Sequence, residues 1–133
     1  MSKTMYLENN GQLVLLPTDV DIAVGSDGND IACGNMLDNT MYGNNGDDQL
    51  WGGASGNDTL AGGAGSDIYW WGKSDGHDLI INAADNGTDA LYLYNVATSN
   101  FQALKQNDNL IFQVDENNAV NLGDWYSASA SSR

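Results

Sequence analysis

GGAGSDIYW, from Gly62 to Trp70, joins a glycine-rich turn closed by an aspartate to three residues with a large side chain in the middle. The same unit recurs on both sides. Aligned on their closing residue, the other turns read LPTDVD to Asp21, GSDGND to Asp30, GNMLDN to Asn39, GNNGDD to Asp48, GGASGND to Asp58, GKSDGHD to Asp78 and DNGTD to Asp89. The slot after each turn holds Met41, Leu50, Leu60, Tyr69, Ile80 and Leu91, and Ala23 and Ala32 fill it weakly. Glycine lets the backbone turn through positive φ, so a short loop can aim several carbonyl oxygens at one spot. The closing aspartate adds a hard anionic oxygen. That set suits calcium, which takes six to eight oxygens at about 2.3–2.6 Å in a forgiving geometry. The three residues after each turn read as a short strand whose middle side chain points inward. Two such units make one coil with a turn on either side. The turns ending at Asp30, Asp48, Asp67 and Asp89 then share one edge, and those at Asp21, Asn39, Asp58 and Asp78 the other.

From about Gly25 to Tyr92 the chain resembles the RTX (repeats-in-toxin) haemolysin-type calcium-binding family, whose nonapeptide repeat builds a parallel β-helix. The resemblance implies an all-β fold, a right-handed parallel β-roll, holding about three to five Ca2+ ions between successive turns of one edge. In the family the earlier turn gives carbonyls at its second and fourth positions and the later turn at its first and third, with each aspartate bridging. Carried over, Ser26, Gly28 and Asp30 face Gly43, Asn45 and Asp48. Asn44, Gly46 and Asp48 face Gly62, Ala64 and Asp67, and Gly63 and Gly65 belong to the same ligand set, which runs on to Asp89. On the other edge Gly53, Gly56 and Asp58 face Gly72 and Asp78. Departures are visible too. Leu37 and Asn39 replace the second glycine and the aspartate of their turn, which implies a weak or absent site shared with Asp58. The turns at Asp58, Asp78 and Asp89 carry one or two extra residues, which leaves their carbonyl ligands open. Asp75 is open to two readings, a ligand or a solvated side chain.

The flanks change character. Met5 to Leu16 reads as two strands around Asn10-Gly11, a β-hairpin that would cap the first coil. Stacked repeats need such atypical ends, because a bare coil exposes core and unpaired strand edges. After the array, Ala90 to Tyr94 alternates as a strand, and Asn109–Val114 and Ala119–Leu122 form a pair turning at Asp115–Asn118. The motifs Asp89-Ala90-Leu91-Tyr92-Leu93, Asp108-Asn109-Leu110-Ile111 and Asp124-Trp125-Tyr126 resemble the region that follows the repeats in RTX toxins and adhesins, more than that of the secreted metalloproteases. The expected organisation is one domain over 1–133: an N-terminal cap to 24, repeats over 25–92, an antiparallel β cap over 93–126 and a polar tail over 127–133.

Four basic residues stand against eighteen acidic ones, a net charge of −14. Such self-repulsion opposes compaction and disfavours nucleic acid as a partner. Divalent cations would relieve it where the aspartates converge, so folding is expected to depend on calcium. Sites with the affinity of extracellular modules, on the order of 10⁻⁴–10⁻³ M, fill outside the cell. The start Met-Ser-Lys-Thr lacks the apolar run of an N-terminal signal peptide, and no stretch is long enough to span a membrane. Both fit the type I secretion that the family resemblance implies. Cys33 is alone, which leaves no disulfide framework and makes it a small packing residue. His77 precedes Asp78 at a variable turn position, and no second histidine exists for a zinc site. No nucleophile–base pair is evident, so the chain is read as a binding module and not an enzyme.

The outward position after each core residue holds Trp51, Trp70 and Tyr92, which share a face with Trp71 nearby. One reading is a contact surface for a glycan or partner protein, as in an adhesin or an accessory module of an extracellular polysaccharide-modifying enzyme. The other is a stripe covered by the C-terminal strands or a neighbouring domain.

Overall fold

A computed structural model describes residues 3–8, 12–53, 55–72, 75–81, 89–94, 102–106, 109–115 and 118–123. Among them are thirteen strands and no helix, hence no helix long and apolar enough to cross a membrane. The strands are β1 (Thr4–Tyr6), β2 (Leu13–Leu15), β3 (Ile22–Val24), β4 (Ile31–Cys33), β5 (Thr40–Tyr42), β6 (Gln49–Trp51) and β7 (Thr59–Ala61). They continue as β8 (Ile68–Gly72), β9 (His77–Ile81), β10 (Ala90–Tyr94), β11 (Gln102–Gln106), β12 (Asn109–Asp115) and β13 (Asn118–Gly123).

Successive strands of the array alternate between two sheets. The long sheet runs β1-β3-β5-β7-β9-β13-β12-β11, and the short one β2-β4-β6-β8-β10. Neighbours within the array pair in parallel, so the fold is a parallel β-solenoid of nonapeptide units. Register puts Met5, Ala23, Met41, Leu60 and Ile80 in one ladder, and Val14, Ala32, Leu50, Tyr69 and Leu91 in the other. These are the middle residues of the three-residue strands and the positions in β8, β9 and β10 that pair with them. Met41, Leu50, Leu60, Tyr69 and Ile80 are at most 2% exposed, so the two ladders are the core. Each such side chain stabilises by roughly 1.5–3 kcal/mol on burial. A three-residue strand cannot hold itself together on one such contribution, which is why the coils must stack.

The N-terminal hairpin is not what forms. β1 pairs in parallel with β3, and β2 in parallel with β4, so the two lie in different sheets as the first coil of the solenoid. The local turn signal at Asn10-Gly11, which lies outside the described residues, lost to long-range pairing. Met5 and Val14 already stand in the nine-residue phase of Ala23, Ala32, Met41 and Leu50. The C-terminal pair forms as expected, β12 against β13, joined by a third strand, β11. β13 also runs parallel to β9 and so closes the long sheet, burying Val120 and Leu122. Trp125, Tyr126 and the polar tail lie outside the described residues.

Trp51, Trp70 and Tyr92 do line up on the outer face of the short sheet. Trp71 does not join them. Being one residue beyond Trp70 it faces inward, 1% exposed, because side chains alternate along a strand. Cys33 is a buried free thiol beside the core, in keeping with a packing role.

Candidate metal centre

The strand length fixes where the aspartates sit. After three residues the chain must cross to the opposite sheet, and each crossing ends on a closing residue whose main chain belongs to the next strand's ladder. Thus Asp30, Asp48 and Asp67 carbonyls accept the amides of Gln49, Ile68 and Ala90 at 2.8–2.9 Å on one edge. On the other edge Asp21, Asn39 and Asp58 carbonyls accept from Thr40, Thr59 and Leu79 at 2.8–2.9 Å. The side chains point back along the stack. Oδ1 of Asp48 accepts the Asp30 amide, Oδ1 of Asp67 the Asp48 amide and Oδ1 of Asp89 the Asp67 amide, at 2.8–2.9 Å. Likewise Asp58 accepts from Asn39 and Asp78 from Asp58, at 2.8 and 2.9 Å. The structure brings the closing residues together as two continuous ladders, one per edge.

Each carboxylate has a second oxygen. Oδ2 of Asp48, Asp58 and Asp78 is buried without a hydrogen-bond partner. Three uncompensated buried oxygens are costly, since an unpaired buried charge is the most expensive group a fold can hold. Burial pushes the Asp48 carboxyl up to about 8, against the Asp30 amide that lowers it, and the charges of Asp67 and Asp30 add to the rise. Burial likewise raises Asp58 to about 7 and Asp78 to about 8, with neighbouring carboxylates adding to each.

Space beside these oxygens is kept by glycine. A β-carbon on Gly43 would lie 2.6 Å from the Gly62 carbonyl oxygen and 2.9 Å from the Asp48 carboxyl carbon. One on Gly25 would lie 2.8 Å from Asp30 Oδ2 and 2.9 Å from the Gly43 carbonyl carbon. Any side chain would therefore fill the cradle in which a carboxylate oxygen and the next turn's first carbonyl converge. Among the described residues no three His, Cys, Asp or Glu side chains cluster to hold a metal. The donors that converge beside Gly25 and Gly43 are a carboxylate oxygen and a main-chain carbonyl. Hard oxygens of that kind fit calcium and not zinc.

The remaining sequence-derived site residues take varied places. Gly53, Gly56, Gly63, Gly65 and Gly46 hold positive φ in their turns, as does Asn44. Asn44 Nδ2 donates to the Gly25 carbonyl at 2.8 Å, and Asn45 Nδ2 to Asp27 at 3.3 Å. Ala64 is exposed at its turn tip. Ser26 turns on its own loop, its amide and hydroxyl both donating to Asp30 at 2.9–3.1 Å. Gly72 ends β8, its amide donating to Asp75 Oδ2 and its carbonyl accepting the Asp75 amide.

Asp75 is neither solvated nor aimed along the aspartate ladder. It is 2% exposed, and its Oδ2 accepts the Trp51 indole N–H at 2.9 Å, the Gly72 amide at 2.8 Å and the Tyr94 hydroxyl. Tyr94 also meets Trp51 edge-on at 5.6 Å, so the end of β10 folds over part of the aromatic stripe. Trp70 and Tyr92 stack edge-on at 4.8 Å, leaving Tyr92 47% exposed. A further ladder went unread in the sequence. Asn29 and Asp47 side chains accept the amides of Asp47 and Ser66, and Asp38 and Asn57 those of Asn57 and His77. Its signal is plain: the residue before each closing position is repeatedly Asn or Asp.

The raised carboxyls set a pH dependence for the ion-stripped chain. Groups whose folded pKa exceeds the unfolded value of 3.8 favour the fold when protonated. That contribution is full below about pH 4 and is lost as pH rises through 7 to 8. Without metal, a melting transition is expected at pH 5 and is lost at pH 8, the effect of a few kcal/mol on a domain this size. Saturating calcium should flatten the trend. Equal melting at both pH values in chelator would contradict it.

The family model of the RTX calcium-binding nonapeptide repeat matches residues 24–55 and 34–69, in four copies. No curated protein matches the chain. Among solved structures, the solution structure of the AlgE6R3 subunit from the Azotobacter vinelandii mannuronan C5-epimerase is 24% identical. The match covers 78% of this chain and 76% of that one, with a TM-score of 0.39.

Proposed function

We propose, from the premise that residues 24–69 are RTX calcium-binding nonapeptide repeats, that this chain is a non-catalytic module that folds as it binds calcium cooperatively. The observation that carries the reading is the set of three buried Oδ2 atoms without a hydrogen-bond partner, on Asp48, Asp58 and Asp78. These oxygens, with main-chain carbonyls of the facing turns, would hold about three to five ions. The ions would supply the positive charge the ladders lack. The chain itself orients the oxygens by clamping each Oδ1 on a main-chain amide and keeps the cradles open with glycine. Low calcium then leaves the aspartates repelling one another, and higher calcium outside the cell drives folding. Such a switch suits a protein exported unfolded by type I secretion, with residues 1–133 folding as one unit.

A calcium titration of the ion-stripped chain at pH 8, followed by far-UV circular dichroism with magnesium as control, tests the reading. A cooperative gain of β signal with calcium alone is expected. A chain already folded without metal overturns it.

A second reading adds contact with a glycan or partner protein, as in an adhesin or an accessory module of a polysaccharide-modifying enzyme. It is supported by a cleft of about 170 Å³ lined by the rings of Trp51, Trp70 and Tyr94. Trp70→Ala is expected to weaken retention on a polysaccharide matrix while leaving the calcium-bound β signal unchanged. Unaltered retention removes the second reading.

A further inference from the structure

The turns of the array fall into two classes. In the turns closing at Asp48, Asp58 and Asp67, the second residues Asn44, Gly53 and Gly63 have φ of 67°, 104° and 80°. The next glycines, Gly46, Gly56 and Gly65, have φ of 98°, 92° and 107°. In the turns closing at Asp30 and Asn39 no residue has positive φ. There the second residue's amide bends inward instead, Ser26 N–H donating to Asp30 Oδ2 and Asn35 N–H to Asn39 Oδ1, both at 2.9 Å. These two turns are closed by their own side chains. The turns closing at Asp48 and Asp58 leave a carboxylate oxygen without a donor.

The turn from Gly34 to Asn39 goes further. Asn39 Nδ2 donates to the carbonyls of Val20 at 3.0 Å and Asp21 at 3.3 Å, in the preceding turn of its edge. Asn35 Nδ2 donates to the carbonyls of Pro17 and Val20, both at 2.7 Å. Asn35 is held in place because its Oδ1 accepts the Leu37 amide at 2.9 Å. Three main-chain carbonyls of one turn, oxygens of the type a calcium ion gathers, are thus met by two amide groups. An amide presents hydrogen-bond donors to carbonyl oxygens and carries no net charge, so it needs no counter-ion when buried.

We infer that Asn35 and Asn39 occupy with their side-chain amides the place between two stacked turns that a calcium ion takes farther along, so that this edge of the array starts without an ion. The inference rests on the calcium-binding reading of the later turns. It assigns the difference to two named side chains. It also gives this edge a direction: the turns closing at Asp21 and Asn39 are joined by side-chain amides, and ions enter only farther along.

Two measurements test it. The first is the number of calcium ions per chain, by equilibrium dialysis, in the wild type and in the variant Asn35→Gly/Leu37→Gly/Asn39→Asp, which restores both glycines and the aspartate of the repeat. One additional ion is expected in the variant. An unchanged count overturns the inference, whereas a wild type that binds no calcium overturns the calcium reading instead. The second uses the calcium-saturated wild type and so does not depend on the variant folding. The Nδ2 protons of Asn35 and Asn39 should exchange with water about ten-fold or more slowly than those of the exposed Asn45, because they are held in bonds that open only locally. Free exchange of both amides would mean that the carbonyls of Pro17 and Val20 are met by something else, and the inference would fall.

Discussion

Stripping calcium at pH 8 is expected to abolish the cooperative thermal transition, and magnesium at the same concentration should not restore it. Each site that binds only the folded chain adds RT ln(1 + [L]/Kd), about 2.7 kcal/mol when calcium is one hundred-fold above Kd. About three to five such sites add roughly 8–14 kcal/mol, as large as the whole stability of an ordinary domain, about 5–15 kcal/mol. The core cannot make up the loss. Two of its ladder positions are only alanine, Ala23 and Ala32, and the net charge of −14 works against compaction. Magnesium demands near-ideal octahedral geometry and gives up water reluctantly, which a cradle of carbonyls and single carboxylates does not meet. Melting curves by circular dichroism, in calcium, in magnesium and in chelator, decide the matter. A transition in chelator within a few degrees of that in calcium would show that packing alone holds the fold.

Asp48→Asn should change stability in opposite directions with and without calcium. Asp48 is fully buried, its Oδ1 clamped by the Asp30 amide and its Oδ2 without a partner. On the proposed reading, the substitution in saturating calcium removes an anionic ligand at the centre of the array. The expected cost is about 3–5 kcal/mol, as for other broken buried charge pairs, or roughly a 10–20 °C fall in melting temperature. In the ion-stripped chain at pH 8 the same change removes a buried negative charge and adds an amide donor beside the Gly62 carbonyl. There the variant should retain more β signal than the wild type. A variant less stable under both conditions would mean that Asp48 acts through its hydrogen bond to Asp30 and not as an ion ligand.

Much of this architecture could be read from residues alone, for a reason specific to repeats. When identical units stack, the period in the chain is also the period in space, so nine-residue spacing dictates which residues become neighbours. The two edges, the inward ladder from Met41 to Ile80 and the outward column of Trp51, Trp70 and Tyr92 follow from counting. Features that depend on one side chain meeting another outside that period did not. Asp75 sits in a turn of irregular length, and nothing in its neighbours signals that it will bind Trp51 and Tyr94 together. Asn35 and Asn39 read as imperfections in a calcium turn, because a departure from a repeat does not say what replaces the missing ligand. At the N-terminus the Asn-Gly turn motif and the weak continuation of the period at Met5 and Val14 point to different folds, and the parallel pairing of β1 and β2 follows the period.

The alternation of strands between two sheets has a consequence for how such a chain can change in length. Units come in an odd and an even kind, and β13 closes the array by joining the long sheet beside β9. Gaining or losing two consecutive units leaves the first and last strands in the same relation to one another. A single unit would rotate one end by half a turn, setting the amides of Asn35 and Asn39 opposite the ladder of Asp48 and Asp67 in place of that of Asp58 and Asp78. The stack therefore has a parity. Its growth over time is restricted to whole coils wherever the relative orientation of its two ends matters.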